Sequence, residues 1–451
     1  MRIAVIGTGY VGLVTGVCLA AKGHQVTCVD KKQGIVEKIS NLQAPIYEPG
    51  LEKILAKVVG SGNLAATTDL KKSILPAEVS VIAVGTPQGE EGINLEYVKN
   101  AAREIGAVLK DKADYHVVSV KSTVVPSTTD TIVKDILEAA SGKRVGEFGL
   151  TMNPEFLREG KAVADFMNPD RIVIGAYDDK SFAVMKEVYA GFAVPIIQVN
   201  LRTAEMIKYT ANALLATLIS YSNEIASLCE ATGEIDAKEV LAAVCLDKRF
   251  NPRVENNLVN PEMINYLQAG CGFGGSCFPK DVKALISFGR DRGCLPRIIS
   301  ATMKVNEEQP QRILSKLEGK FGSLAGKKVA VLGLAFKPGT DDIRESPSIA
   351  FITGLLARGA RVWGTDPIAL ENMRQAIPQV DGEIEYTKDY KRALQGADAA
   401  LLVTPWPELI SISPERYVQL MGFPLVVDCR RVLDKEILER AGAIYLGVGL
   451  V

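Results

Sequence analysis

The chain has 451 residues, more than one ordinary domain, which predicts two or three domains with substantial cores. Its 52 Lys and Arg balance 53 Asp and Glu, so nothing in the net charge favours nucleic acid or an anionic membrane as main partner. Only His24 and His116 are present, too few for a histidine triad or a multi-histidine metal site, and the eight cysteines show no C-x-x-C pairing. That usage fits a reduced, cytoplasmic protein with neither disulfides nor a structural metal.

Arg2 to Ile6 reads as a short apolar strand, followed by G-x-G-x-x-G at Gly7, Gly9 and Gly12, a helix from Leu13 to Lys22, and a second strand from Gln25 to Val29 ending in Asp30. Strand, glycines, helix, strand and acid within about 30 residues form the dinucleotide fingerprint. The turn and the helix N-terminus receive a pyrophosphate, and the carboxylate receives ribose hydroxyls. Asp30 favours NAD over NADP, because a carboxylate repels a 2′-phosphate; Lys31 and Lys32 temper that preference. The apolar run Ile3 to Ala21 would pass a hydropathy filter for a membrane span, but its glycine spacing explains it better.

Further strands are expected at Val79 to Val84, His116 to Val120, Gly149 to Met152, Arg171 to Gly175 and Pro195 to Val199. Ligands of open parallel sheets bind beyond the carboxyl ends of the strands, which places Thr86, Thr123, Glu155 and Glu159 near a cofactor. A long helix is expected from Thr203 to about Glu230, with Ile207, Ala211, Leu214, Leu218, Tyr221, Ile225 and Leu228 as an apolar stripe for packing between domains or subunits. Lys208 and Asn212 lie one turn apart on a neighbouring face, able to address one ligand.

The loop Gly270 to Lys283 concentrates chemistry. Gly270, Gly272, Gly274 and Gly275 precede Cys277, and Pro279 starts a helix that continues through Lys280, Asp281 and Lys283. A thiol just ahead of a helix N-terminus and near two lysines has a raised thiolate fraction, and glycines let a substrate approach the backbone. After a Gly/Lys-rich linker at Gly319 to Lys328, Lys327 to Leu334 opens a second strand-helix-strand unit without the glycine turn, which suggests a ligand other than a second NAD. Lys337, Arg344, Arg430 and Arg431 are its candidate phosphate grips.

With Cys277 in GFGGSCFPKD, Lys208 and Asn212 in KYTAN, Glu155 and Glu159 in NPEFLREG, and FKPGTDDIRES downstream, the chain resembles the UDP-glucose/GDP-mannose dehydrogenase family over nearly its whole length. The resemblance implies an α/β fold of two Rossmann-like parallel-sheet domains, joined by a long central helix and a helical dimerisation region. The expected divisions are 1–200 for NAD, 201–318 for dimerisation and the cysteine loop, and 319–451 for a UDP-sugar. It implies a four-electron oxidation of a nucleotide sugar, foremost UDP-glucose to UDP-glucuronate, with two NAD consumed and a thiohemiacetal and then a thioester on Cys277. Lys208 would stabilise the oxyanion, Asp281 and Thr123 would hold water, Glu155 would be acid or base for hydrolysis, and Asn212 with Glu159 would contact substrate or water.

By the same resemblance Gly7, Gly9, Tyr10, Val11, Gly12, Asp30, Thr86, Thr123, Glu159, Lys280 and Arg344 would hold NAD. Glu155, Phe156, Leu157, Arg158, Glu159, Lys208, Asn212, Arg253, Tyr266, Phe273, Gly274, Phe336, Lys337 and Arg430 would contact substrate. Arg249 is the alternative to Arg253 for an arginine that the family takes from a neighbouring subunit, which implies a homodimer or higher homo-oligomer. Departures from the family pattern at Ile35, Thr404-Pro405-Trp406 and Asp428-Cys429-Arg430 bear on sugar preference more than on reaction type. Other nucleotide sugars (GDP-mannose, UDP-N-acetylmannosamine), a two-electron hydroxyacid dehydrogenase and a non-catalytic sensor are the competing readings.

Overall fold

Short apolar runs, each closed by glycine or a polar turn, become the strands of two parallel-rich sheets. The computed structural model describes residues 1–89, 92–255 and 257–450, which divide into two compact units, Met1–Ala211 and Asn212–Val451. In the first unit β1 (Arg2–Ile6) leads into α1 (Tyr10–Ala21), and then come β2 (Gln25–Val29), β3 (Leu64–Thr67), β4 (Val79–Ile82), β5 (Val117–Val120), β6 (Gly149–Met152), β7 (Ile172–Ala176) and β8 (Ile196–Val199). Their order in the sheet is β8-β7-β6-β5-β4-β1-β2-β3. Neighbours pair parallel except β6 with β7, which are antiparallel.

The strands β4, β5 and β6 are buried along their whole length, as apolar runs covered on both faces must be. Ile3 to Ala21, the stretch that could pass for a span, is β1 plus α1. Helix α1 begins at Tyr10, earlier than the expected Leu13, because the glycine turn itself enters the helix: a Cβ on Gly12 would sit 1.9 Å from the Gly7 carbonyl oxygen. Among the described residues no helix is long and apolar enough to cross a membrane.

The central helix α2 (Leu201–Thr232) contains the division between the units. Its expected apolar stripe is not the buried face: Leu214, Tyr221 and Leu228 are 52%, 51% and 60% exposed. The buried positions include Ala204, Glu205, Lys208, Asn212, Ala216, Ser220, Ser222 and Asn223, together with the larger Tyr209 and Cys229. Small and polar residues go inward because partners there satisfy them, as when Ser220 donates to the Thr302 carbonyl at 2.8 Å.

In the second unit α3 (Phe278–Asp291) and α4 (Arg297–Phe321) precede β9 (Lys328–Leu332), α5 (Pro347–Ala357), β10 (Arg361–Thr365), β11 (Ile384–Thr387), β12 (Ala399–Leu402), β13 (Leu425–Asp428) and β14 (Ile444–Gly447). These strands form a parallel sheet in the order β11-β10-β9-β12-β13-β14. The expected linker is shorter than Gly319 to Lys328, since α4 runs to Phe321 and Leu324 is fully buried. Residues on both sides of it share one core: Cys229, Leu241, Cys271 and Leu314 pack with Val331, Phe351 and Leu401.

Candidate active site

In the first unit the carboxyl ends of β6, β5, β4, β1 and β2 lie side by side, so the turns after them gather Glu155, Thr123, Thr86, the glycine turn and Asp30 along one edge. The N-terminus of α1, at Gly9, has no side-chain cap and no acid in its first turn, and a Cβ on Gly9 would meet nothing within 4 Å. Those free amides and the open space above them fit a pyrophosphate. Asp30 is half-buried and accepts from the Thr8 amide (3.1 Å), the Thr8 hydroxyl (2.6 Å) and the Lys32 amide (3.0 Å), which fixes its carboxylate at the end of β2. Thr86 donates its hydroxyl to the Thr123 carbonyl at 3.0 Å, tying two of the strand-end loops together. Val11 is half-buried in the first turn of α1.

Tyr10 opens α1 directly after the glycine turn. Its hydroxyl donates to Glu48 and accepts from the Gly160 amide at 3.0 Å, an internal joint at the start of the helix. Glu48, missed in the sequence, is 6% exposed and accepts from the Gly160 and Ala162 amides, both at 2.7 Å. It fastens the loop Phe156 to Gly160 to the glycine turn. The signal was a lone acid in a polar stretch, indistinguishable from a surface residue.

Glu155 and Lys208 meet as a buried ion pair, Oε1 to Nζ 2.9 Å, with exposures of 6% and 3%. Burial pushes the Glu155 carboxyl up, but Lys208, the Leu157 amide (2.6 Å) and Lys121 outweigh it and hold the group below the usual carboxylate range. Glu155 is therefore ionised near neutrality. Phe156 lies under the Arg171 guanidinium at 4.1 Å and the Lys208 ammonium at 5.6 Å. Arg158 is gripped by Asp165 at 3.0 and 2.7 Å, Leu157 packs half-buried, and Glu159 is 8% exposed. Glu205 on α2 accepts the Ser127 and Thr129 amides, each at 2.8 Å, and so holds the segment that follows Thr123.

In the second unit Cys277 is the half-buried N-cap of α3, with the Ser276 hydroxyl 3.6 Å from its sulfur and Pro279 in the first turn. Asp281 is 1% exposed, accepts Asn212 Nδ2 at 2.6 Å, and is paired with Lys280 Nζ at 2.5 Å. Lys283 pairs with Glu345 at 3.6 Å. Both lysines expected to act on the thiol are thus matched by carboxylates, and Cys277 also stands at the positive end of the helix that follows it.

The glycines before it also have another purpose than expected. A Cβ on Gly274 would lie 2.0 Å from the Glu345 carbonyl oxygen, and one on Gly275 2.7 Å from the Phe336 ring. They let the cysteine loop lie flat on the segment that precedes α5.

A cavity of about 200 Å³ opens beside this loop. Of the expected contacts it gathers Phe273, Gly274, Phe336 and Arg430, and it adds Ile219, Asn265, Gln268 and Phe278, which sequence reasoning missed. Arg430 is fixed by donating to the Val403 carbonyl at 2.8 Å and the Gly272 carbonyl at 3.1 Å. Tyr266, outside the lining, has its ring 6.2 Å from that of Phe278. Lys337 Nζ stands 5.4 Å over the Phe336 ring. Arg344 grips Asp342 of its own loop at 2.9 and 2.7 Å, and Arg249 likewise grips Asp247 at 3.0 and 2.6 Å. Arg253 lies exposed on a small hairpin formed by Arg253–Val254 and Asn257–Leu258. Arg431 is committed to Asp236 at 2.6 Å, so it is not a phosphate grip.

An uncapped glycine turn in one unit, and in the other an N-cap cysteine beside a cavity lined by Arg430, fit an NAD-dependent oxidoreductase. Three family models match in order: the NAD binding domain of the UDP-glucose/GDP-mannose dehydrogenase family at residues 1–193, its central domain at 202–308 and its UDP binding domain at 330–435. The chain belongs to this family and is a nucleotide-sugar dehydrogenase that uses NAD. It is 43% identical to a UDP-glucose 6-dehydrogenase of Haloferax volcanii, covering 97% of this chain and 98% of the relative. It is 38% identical to a GDP-mannose 6-dehydrogenase of Pseudomonas syringae, over 94% and 96%. A UDP-glucose dehydrogenase structure from Pyrobaculum islandicum superposes with a TM-score of 0.89 at 38% identity, over 100% and 98% of the two chains.

Proposed function

We propose that the protein oxidises C6 of UDP-glucose to the carboxylate of UDP-glucuronate, by way of covalent intermediates on Cys277. The observation that carries this reading is the thiol itself: a half-buried N-cap cysteine, next to a cavity floored by a fixed arginine. Bound NAD supplies the hydride acceptor in each of the two half-oxidations; Gly7, Gly9, Gly12, Asp30, Thr86 and Thr123 would hold it, with Arg344 as a further contact. In the first half-oxidation C6 becomes an aldehyde, and the Cys277 thiolate adds to it, giving a thiohemiacetal that cannot diffuse away. In the second, loss of hydride and of the hydroxyl proton leaves a thioester, and water cleaves it to carboxylate and free thiol.

Each remaining group has a matching assignment. Lys208 supports the oxyanion, Asp281 with Asn212 and Thr123 positions water, and Glu155, ionised as described, takes its proton. Phe156, Leu157, Arg158, Glu159, Arg253, Tyr266, Phe273, Gly274, Phe336, Lys337 and Arg430 are proposed substrate contacts. We retain the three functional segments 1–200, 201–318 and 319–451. The relatives named for UDP-glucose and the UDP binding domain favour this substrate over GDP-mannose.

We also propose a homodimer that covers the exposed apolar side chains Leu214, Tyr221 and Leu228, which recur every seven residues along α2. An NAD-dependent thiol reaction suits the cytoplasm, where thiols stay reduced.

A panel of nucleotide sugars with NAD, followed by mass analysis, tests the reading. UDP-glucose should yield two NADH per molecule and UDP-glucuronate, and Cys277→Ser should abolish that yield while NAD binding persists. One NADH per substrate, or full turnover by Cys277→Ser, removes the covalent mechanism.

A further inference from the structure

The first unit buries three charged groups together where the expected site needs only two. Lys121, the residue that leaves β5, is 4% exposed and belongs neither to the cofactor turn nor to the proposed substrate contacts. Its Nζ donates to Asn153 Oδ1 at 3.0 Å and stands 3.5 Å from the Asn153 carbonyl oxygen. The same Oδ1 accepts the Tyr189 hydroxyl at 2.5 Å, and Asn153 Nδ2 donates to the Val173 carbonyl at 2.8 Å. Asn153 is therefore clamped from β5, from β7 and from the end of the helix Asp179–Val188. Two residues further on, past Pro154, the chain presents Glu155 to Lys208.

A buried ammonium costs several kcal/mol unless another charge or a full set of hydrogen bonds offsets it. The direct partner of Lys121 is a neutral amide, so its charge is answered at longer range. The titratable groups that face it are Glu155 from its turn, Lys208 from α2 and the Tyr189 phenol; the Phe166 ring, 5.9 Å away, completes the shell. Burial brings the Lys121 ammonium down to about 8, with Glu155 supporting its charge and Lys208 opposing it.

We propose that Lys121 is a positioning residue: through Asn153 it fixes the Asn153-Pro154-Glu155 turn, and its charge adds to that of Lys208 in favouring the ionised Glu155 carboxylate. The catalytic value of this arrangement rests on the role given to Glu155 and Lys208 above. Removing the Lys121 charge makes both neighbours bind protons more readily, so both titrate at higher pH. Packing damage alone lowers a rate without moving its pH limbs.

The test uses Lys121→Met, which keeps the length of the side chain, and Lys121→Gln, should the methionine variant fold poorly. Tyr189→Phe is the control, because it loosens Asn153 without changing charge. The Glu155 carboxyl is titrated by carbon-13 NMR in the protein without substrate, its signal assigned by loss in Glu155→Gln. Its midpoint should rise by about half a pH unit or more in either Lys121 variant and stay in place in Tyr189→Phe. An unmoved midpoint in a folded Lys121 variant, or an equal rise in Tyr189→Phe, overturns the proposal. The pH profile of kcat/KM for NADH production should show both limbs displaced upward in the Lys121 variants, and a lower rate with fixed limbs also counts against it. A wild-type protein that oxidises no nucleotide sugar sinks the functional reading alone, since the titration still decides Lys121.

Discussion

The two parallel sheets start alike and end differently. In both, a strand runs into a glycine, and the next strand ends in an aspartate, Asp30 after β2 and Asp366 after β10. Asp30 is half-buried with three donors, all local. Asp366 is 1% exposed and accepts five: the amides of Leu334, Ala335, Ile368 and Ala369, and Trp406 Nε1 at 2.9 Å. In the first sheet α1 follows the glycine turn at once and leaves its amides uncapped. In the second, residues 334–345 intervene and the Ser346 side chain caps α5. One architecture thus yields an open dinucleotide turn and, elsewhere, a turn sealed by its own side chains. An aspartate at a strand end is a ligand group only where the fold leaves it donors to collect.

Four substitutions test that contrast, in descending size of effect. Gly12→Ala should weaken NAD binding about a thousandfold, about 4 kcal/mol, because the new methyl meets the Gly7 carbonyl at 1.9 Å; calorimetry reads it, and retained binding would show that the turn can yield. Asp366→Asn should cost about 3 kcal/mol of stability in denaturant melts, since its amide faces donors, while the NAD Kd stays the same. A changed Kd would mean that the sealed turn does bind cofactor.

The third prediction concerns acid. Both histidines belong to the first unit, and burial, opposed by the Ala77 carbonyl at 3.0 Å, lowers His116 to about 4. The unfolded chain takes up this proton first, so the stability contributed by neutral His116 is complete above pH 6.5 and is lost as pH falls toward 4. By pH 5 the loss is about 2 kcal/mol, and His116→Gln should flatten that part of the stability curve relative to wild type. Parallel curves for the two proteins would exclude it. Fourth, Asp30→Asn should raise the NAD Kd about tenfold, about 1.4 kcal/mol, with little change in melting; a larger effect on stability than on binding would make Asp30 resemble Asp366.

The strand, glycine turn, helix and acid that open the NAD-binding domain were legible because they occupy one short stretch, where backbone geometry depends on neighbours in the chain. The cysteine loop was legible for the same reason, down to the helix that starts behind Cys277. The face of α2 was not. Periodicity ranks residues by hydrophobicity, and it chose Leu214, Tyr221 and Leu228, whereas Lys208, Asn212 and Asn223 are buried because remote groups such as Glu155 and Asp281 satisfy them.

Sequence alone therefore determined the two parallel-sheet units, the glycine turn of the NAD-binding domain, the place of Cys277 at a helix start and the family. Tertiary structure alone decided which charges are buried and what meets them: Glu155 and Lys208 meet each other, Asp281 meets the Asn212 amide, and Lys121 is held by Asn153. The physical reason is that local backbone geometry follows from a residue's neighbours in the chain. The state of a charge depends on dielectric and on partners that arrive from distant parts of the chain.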